Sequence, residues 1–302
     1  MRRQKILCAA LAVTFALGSC QTGQVKAASQ DPAQKKEVQT ESVQTDGEQT
    51  ESAQTEQPEE PEKTAEERLA EYYDNSVFIG DSIMLGFRNY SSKATTFVHD
   101  IDFLAAGSYS ALNAMKPVAG KNVHPMYKGK KYQVWDAVPL VGSERVFILL
   151  GMNDISPLGL EGARDTYQEV INKIVEKSPD IEINIISVTY TLKGEGKGKL
   201  NNTNIDKYNV LLKGMAEENG WGYIDLCTPI SDGAGNLGEK YCSDGFVHLS
   251  KSAYAVWEKE LTRYAEKQFA KEDAEKAKEL EEAEKEKASE EALVSEKTTK
   301  NK

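Results

Sequence analysis

An alternation constrains this chain more than any other feature. Short apolar runs rich in β-branched side chains, at 76–80, 97–104, 145–150, 181–189 and 222–226, are separated by stretches with helical spacing. The clearest helix is 163–177, where Tyr167, Val170, Ile171, Ile174 and Val175 share one face; 205–219 has the same spacing. A closing helix over 252–269 presents Tyr254, Val256, Trp257, Leu261 and Tyr264, with Ser250 as a cap near its start. Strands alternating with helices predict right-handed crossovers and a parallel sheet of about five strands, covered by helices on both faces. The fold class is therefore α/β, with function gathered at the carboxyl ends of the strands.

Charge separates this body from its flanks. The 302 residues carry a formal net charge of -11, but residues 21–67 hold 12 acids against 4 bases, and residues 271–302 hold 11 against 8. The segment 68–270 is left with -3. At 203 residues it fits one domain with a substantial core. A nearly neutral body between acidic flanks offers no basic surface for phosphates, which argues against nucleic-acid binding.

The N-terminus reads as an export signal over 1–20. Arg2, Arg3 and Lys5 precede an apolar run of 13 residues, 6–18, too short to span a bilayer. The run ends in Leu17-Gly18-Ser19-Cys20, which resembles the bacterial lipobox. That resemblance implies that Cys20 becomes the diacylated first residue of a mature, membrane-anchored protein, two acyl chains being enough for stable attachment. A simple secretory signal cut after Ala27 is the alternative, with Val25-Lys26-Ala27 as its site. Both place the protein outside the cytoplasmic membrane.

Residues 21–67 lack Phe, Trp and Tyr and repeat Gln-Thr every five residues from Gln39 to Gln54, which predicts a disordered acidic spacer. At the other end, 271–302 is a Glu/Lys/Ala tract that predicts a solvated extension of the last helix, without the sustained apolar positions of a coiled coil. Of the 4 Cys, Cys8 lies in the signal. Cys227 and Cys242 remain, either as a disulfide, which an exported compartment permits, or as two separate thiols. Two Cys with one nearby His fall short of a four-ligand zinc set, so no metal is expected.

The loops after the strands carry the chemistry. Ser82 follows Gly80-Asp81 at a strand-to-helix turn, where a nucleophilic hydroxyl would stand beside free N–H groups; alone, it would be an ordinary helix cap. A base is scarce, because the chain has only His99, His124 and His248. His248 lies between the fifth strand and the last helix, with Asp244 four residues before it. His99 falls inside a strand pattern, and His124 in a Lys-rich insertion. Asn153 could donate its amide to an oxyanion, and Gly107 its backbone N–H; singly, both would be turn residues.

Together these blocks resemble the SGNH hydrolases of the GDSL esterase superfamily. They read Ile79-Gly80-Asp81-Ser82-Ile83, Ala106-Gly107-Ser108, Gly151-Met152-Asn153-Asp154 and Asp244-Gly245-Phe246-Val247-His248-Leu249. The resemblance covers roughly residues 75–265. It implies a flavodoxin-like three-layer α/β/α sandwich and two-step ester hydrolysis without metal or organic cofactor. Ser82 would be the nucleophile, His248 the base, and Ser82 N–H, Gly107 N–H and Asn153 the oxyanion hole. In the family the orienting Asp lies three residues before the His, where this chain has Gly245. Either the loop carries one extra residue and Asp244 orients the ring, or a backbone carbonyl does. The expected substrate is a short acyl ester on an extracellular carbohydrate. Residues 116–136, with Tyr127, Lys128, Lys130, Lys131, Tyr132 and Trp135, would shape its pocket or form a plain surface loop. Acyl transfer to a sugar and a non-catalytic surface lipoprotein are the other uses of such a scaffold.

Overall fold

The computed structural model describes residues 63–300, with side chains described through 289. The expected export signal with Cys20, and the expected spacer up to residue 62, lie outside the described residues. Order begins earlier than the spacer's expected end at 67. Thr64 Oγ1 accepts the Glu67 N–H at 3.2 Å while Glu67 accepts the Thr64 N–H at 2.8 Å, a reciprocal cap that starts helix α1 (Ala65–Asp74).

From there the chain alternates as its pattern predicts. Strand β1 (Ser76–Gly80) leads into α2 (Ser82–Ser91), and β2 (Asp102–Ala105) into α3 (Ala111–Ala114). A small hairpin, β3 (Met126–Tyr127) and β4 (Lys130–Lys131), precedes α4 (Val134–Val141). Then come β5 (Arg145–Leu149), α5 (Ile155–Lys177), β6 (Glu182–Ile186), α6 (Asn202–Asn219), β7 (Gly222–Ile224) and α7 (Lys251–Lys300). The five-stranded sheet has the order β2-β1-β5-β6-β7, parallel throughout. From β1 the chain moves outward to β2 and then returns to the other side of β1. This reversal opens a crevice beyond the carboxyl ends of β1 and β5.

Both sheet faces are dry. On one, Val77, Ile79 and Ile148 pack with Val134, Ile155, Tyr167 and Tyr208; on the other, Phe78 and Phe147 pack with Tyr73, Ile83, Phe87 and Trp257. Phe78 and Phe147, paired in register, stack with centroids 4.6 Å apart. Buried hydroxyl and indole groups find backbone acceptors: Tyr73 on Leu261 (2.7 Å), Tyr254 on Ile83 (2.8 Å) and Trp257 on Leu226 (2.9 Å). Gly80 is dictated by this packing, since a Cβ there would lie 2.7 Å from Met84 Cβ and 2.9 Å from the Leu149 carbonyl.

Three strands are shorter than their apolar runs by two residues or more. Phe97–His99 forms a 3-10 turn, with Phe97 stacked on Tyr73 at 4.7 Å and Val98 buried, so these residues satisfy the core without joining the ladder. The run at 181–189 leaves the sheet after Ile186. Val188 instead exchanges both backbone bonds with the Asn209 side chain (2.8 and 2.9 Å). The run at 222–226 likewise ends at Ile224, where Ser187 Oγ accepts the N–H groups of Leu226 and Cys227. The helix expected at 163–177 begins eight residues earlier, at Ile155, and breaks at Gly159, whose φ of 75° no helix accommodates.

Of the two arrangements open to Cys227 and Cys242, the structure has the unpaired one: both thiols are free. Cys227 is buried at the end of β7, and burial pushes its thiol up. Cys242 Sγ turns instead to Asp244 Oδ1, 3.5 Å away.

Candidate active site

Ser82 is the first residue of α2, separated from β1 by Asp81 alone. Asp81 caps the helix, its Oδ1 accepting the Ile83 N–H at 2.9 Å, which fixes the turn that presents the Ser82 hydroxyl. Across the crevice, His248 Nε2 lies 3.0 Å from Ser82 Oγ and His248 Nδ1 lies 2.5 Å from Asp244 Oδ2. These 3 side chains therefore form one continuous chain of hydrogen bonds from hydroxyl to imidazole to carboxylate.

The loop between β7 and α7 reaches this geometry by a local device. Asp244 Oδ1 accepts the N–H groups of Phe246, Val247 and His248 at 2.9, 3.0 and 3.1 Å, wrapping the chain around the carboxylate. Gly245, at φ 76°, makes the left-handed step that this wrapping requires. The extra residue in the spacing thus sits inside the turn, and a carboxylate rather than a backbone carbonyl faces the ring. Burial pushes the Asp244 carboxyl up, but the bonds from the His248 ring and from these N–H groups outweigh it and hold it well below the usual range.

The other two loops converge on the same place. Tyr109 N–H returns to the Ala106 carbonyl (3.1 Å), closing a turn through Gly107 and Ser108 in which Ser108 takes a φ of 59°. Among the described residues no acceptor receives the N–H of Ser82 or Gly107. Asn153, after β5, directs its amide to Asp81 Oδ2 and to the Tyr109 carbonyl, both at 3.1 Å. Both amide hydrogens are matched, so offering one to a substrate oxygen means exchanging the Tyr109 carbonyl for it.

Two buried acids that sequence reasoning left without a role tie these loops together. Asp154 accepts the N–H groups of Ala111 (3.1 Å) and Leu112 (2.9 Å), fastening the loop after β2 to the loop after β5. Asp81 joins Asn153 to the Ser82 turn. Asp81 has a local signal as the cap of α2, but the bonds by which the two acids join separate loops reach partners tens of residues away. Burial pushes Asp81 up to about 7, opposed by the Ile83 N–H and reinforced by Asp154.

This folded value lies above the unfolded one of 3.8, so the native state takes up a proton between them. Stability should therefore fall as pH rises from about 4 to about 7 and then level off. The Asp81→Asn variant cannot titrate there. Its melting temperature minus that of the wild type should climb across the same interval; a flat difference in thermal melts would remove Asp81 as the group responsible.

The remaining sequence candidates stand apart from the relay. His99 is exposed on its 3-10 turn, and His124 is buried with its ring 6.4 Å from that of Tyr109. The hairpin at β3–β4 packs along β2, and Lys128 acts on Asp102, at the strand's amino end. Its rings are already covered: Lys128 lies over Tyr127 (5.0 Å), Lys130 over Tyr132 (5.1 Å) and Lys173 over Trp135 (5.4 Å). Among the described residues, no group of three or more His, Cys, Asp and Glu side chains is placed to hold a metal ion.

Residues 78–256, which contain all four blocks, match the GDSL-like Lipase/Acylhydrolase family. The chain belongs to this family. The GDSL-like acylhydrolases hydrolyse esters, and the protein is an enzyme of that kind. A search of the curated proteins finds no match. Among solved structures the chain is similar to a Streptococcus pneumonia protein named for platelet activating factor, with 20% identity and a TM-score of 0.49 over 67% of this chain and 92% of that one. It is also similar to a GDSL-like lipase from Bacteroides thetaiotaomicron (16%, TM-score 0.48, 64% and 87% covered). A third is a catalytic mutant of an acetylxylan esterase from Geobacillus stearothermophilus (14%, TM-score 0.44, 63% and 93% covered).

Proposed function

We propose that the protein is an extracytoplasmic serine esterase that removes short acyl groups, acetyl above all, from a carbohydrate or cell-wall glycan. The observation that carries this reading is the unbroken path from Ser82 Oγ through His248 to Asp244, at 3.0 and 2.5 Å. Ser82 Oγ attacks the ester carbonyl while His248 Nε2 takes its proton, and Asp244 keeps the other ring proton on Nδ1. The oxyanion that develops is met by the N–H groups of Ser82 and Gly107 and by the Asn153 amide. His248 returns the proton to the departing alcohol, leaving an acyl-Ser82. A water, deprotonated by His248, then releases the acid.

Exposure supports a short acyl group. The His248 side chain is 45% exposed, so the relay lies open at the surface, an arrangement suited to a small acyl group on a bulky polymer. The setting outside the membrane, with attachment through Cys20, rests on residues 1–20.

A fluorophosphonate probe should label the wild type at Ser82, and acetate should be released from acetylated peptidoglycan or acetylated xylan. If neither polymer releases acetate while an added sugar acceptor becomes acylated, the enzyme is a transferase. If no probe is incorporated, the catalytic reading falls. Cys20→Ser should shift the protein from the membrane fraction to the medium.

A further inference from the structure

The segment between β6 and α6 opens on the same sheet edge as the relay. Residues 192–200 read Leu-Lys-Gly-Glu-Gly-Lys-Gly-Lys-Leu, and all the residues from 193 to 199 are exposed. The segment is nevertheless built rather than loose. Lys197 and Leu200 exchange backbone bonds at 2.7 and 3.0 Å, Gly194 and Gly198 take left-handed φ values of 81° and 58°, and a Cβ on Gly196 would lie 3.0 Å from Asn201 Cβ. The Leu192 N–H donates to the Phe246 carbonyl at 2.8 Å, joining this loop to the one that carries His248. Lys197 Nζ rests 4.1 Å from the centre of the Phe246 ring.

Charge here is one-sided. Lys193, Lys197 and Lys199 face a single loop carboxylate, Glu195, and among the described residues none of the three forms an ion pair. The acids on neighbouring elements are engaged elsewhere: Asp206 by the Tyr190 hydroxyl, Asp232 by Asn236, Asp225 by Ser187 and Asp244 by His248. Only Val247 separates Phe246 from His248, so their Cα atoms are at most about 7.6 Å apart. Lys197 therefore stands on a loop that is bonded to the one carrying the base, beside a residue two positions from His248. Its contact with the ring parks the ammonium without neutralising it.

We infer that the loop 192–200 is a subsite for a carboxylate on the glycan, so that the preferred substrate is an acylated acidic polysaccharide, one carrying uronic or similar sugar-acid units. This rests on the esterase reading for the reacting bond but not for the binding. Within the 116–136 insertion, Lys128 acts on Asp102, at the amino end of β2 and so at the end of the sheet away from the relay. The loop after β6 supplies cations next to the relay instead.

Calorimetric binding to the Ser82→Ala protein tests the subsite without turnover, using acetylated oligogalacturonate and a neutral acetylated xylo-oligosaccharide of equal length as probes. The acidic oligomer should bind about tenfold more tightly at low ionic strength, as three exposed charge pairs allow, and the advantage should shrink with added salt. Lys193→Gln/Lys197→Gln/Lys199→Gln should erase it, and the matching Arg substitutions should restore it. Equal affinities in the parent, or a preference that survives the triple Gln change, would overturn the subsite. Loss of p-nitrophenyl acetate turnover in wild type would instead strike the esterase reading and leave the binding result standing.

Discussion

Ser82→Ala should lower kcat for p-nitrophenyl acetate by a factor on the order of 10⁶, the scale expected when one member of a catalytic relay is removed and the others cannot act alone. The change deletes only an oxygen. The N–H groups of Ser82 and Gly107 stay in place, so KM should change little and the melting temperature should hold. His248→Ala should cost about as much, and the double variant no more than either single one, because hydroxyl and imidazole serve the same proton transfer. Steady-state rates on the three variants decide the matter. Additive losses, or a Ser82→Ala rate within tenfold of the wild type, would mean that the 3.0 Å contact between the two side chains is not a catalytic one.

The second large effect separates the two duties of Asp244. One oxygen gathers three backbone N–H groups and the other faces the ring. Asp244→Asn can keep the first duty, its carbonyl accepting the same N–H groups. Its amide would then donate to His248 Nδ1, forcing the ring proton onto Nε2, where it points at Ser82 and cannot accept. A loss of about 10⁴ attends that inversion at a buried site. Asp244 is 34% exposed, water can relieve part of the constraint, and roughly 10³ is expected here. Asp244→Ala leaves the ring free to take either tautomer but dissolves the turn. It should be the more active of the two and the less stable, melting about 2–4 °C lower for each net kcal/mol lost from those bonds. Asp244→Asn activity within tenfold of wild type would show that the ring is oriented by something else.

How much of this could be read from the sequence depends on how local each feature is. Strand β1 and the turn at Gly80-Asp81-Ser82 are legible because five consecutive buried residues and a capped helix start leave a pattern within a dozen positions. The Asp244–His248 turn is legible for the same reason, its donors and acceptor lying within five residues. Phe97–His99 and 187–189 were harder, since an apolar run announces burial but not whether a ladder or a side chain such as Asn209 takes its backbone bonds. The free state of Cys227 and Cys242 depends on distances that spacing does not encode. Asp154 holds Ala111 and Leu112 from more than 40 positions away. The charges of the lysine loop are plain in the sequence, but its place beside the relay rests on the bond from Leu192 to the carbonyl of Phe246, more than 50 positions away.

Helix α7 has a consequence for how the enzyme meets its substrate. It begins two residues after Leu249, on the relay's edge of the sheet, and descends past Tyr73 and Phe269 to Asp273, about 33 Å along its axis. There Arg68 grips Asp273 with two bonds at 2.9 and 3.0 Å, close to where the described chain begins. The N-terminal lead-in therefore joins the domain at the pole opposite Ser82. A chain entering there leaves the crevice around Ser82 and His248 clear of its own point of entry.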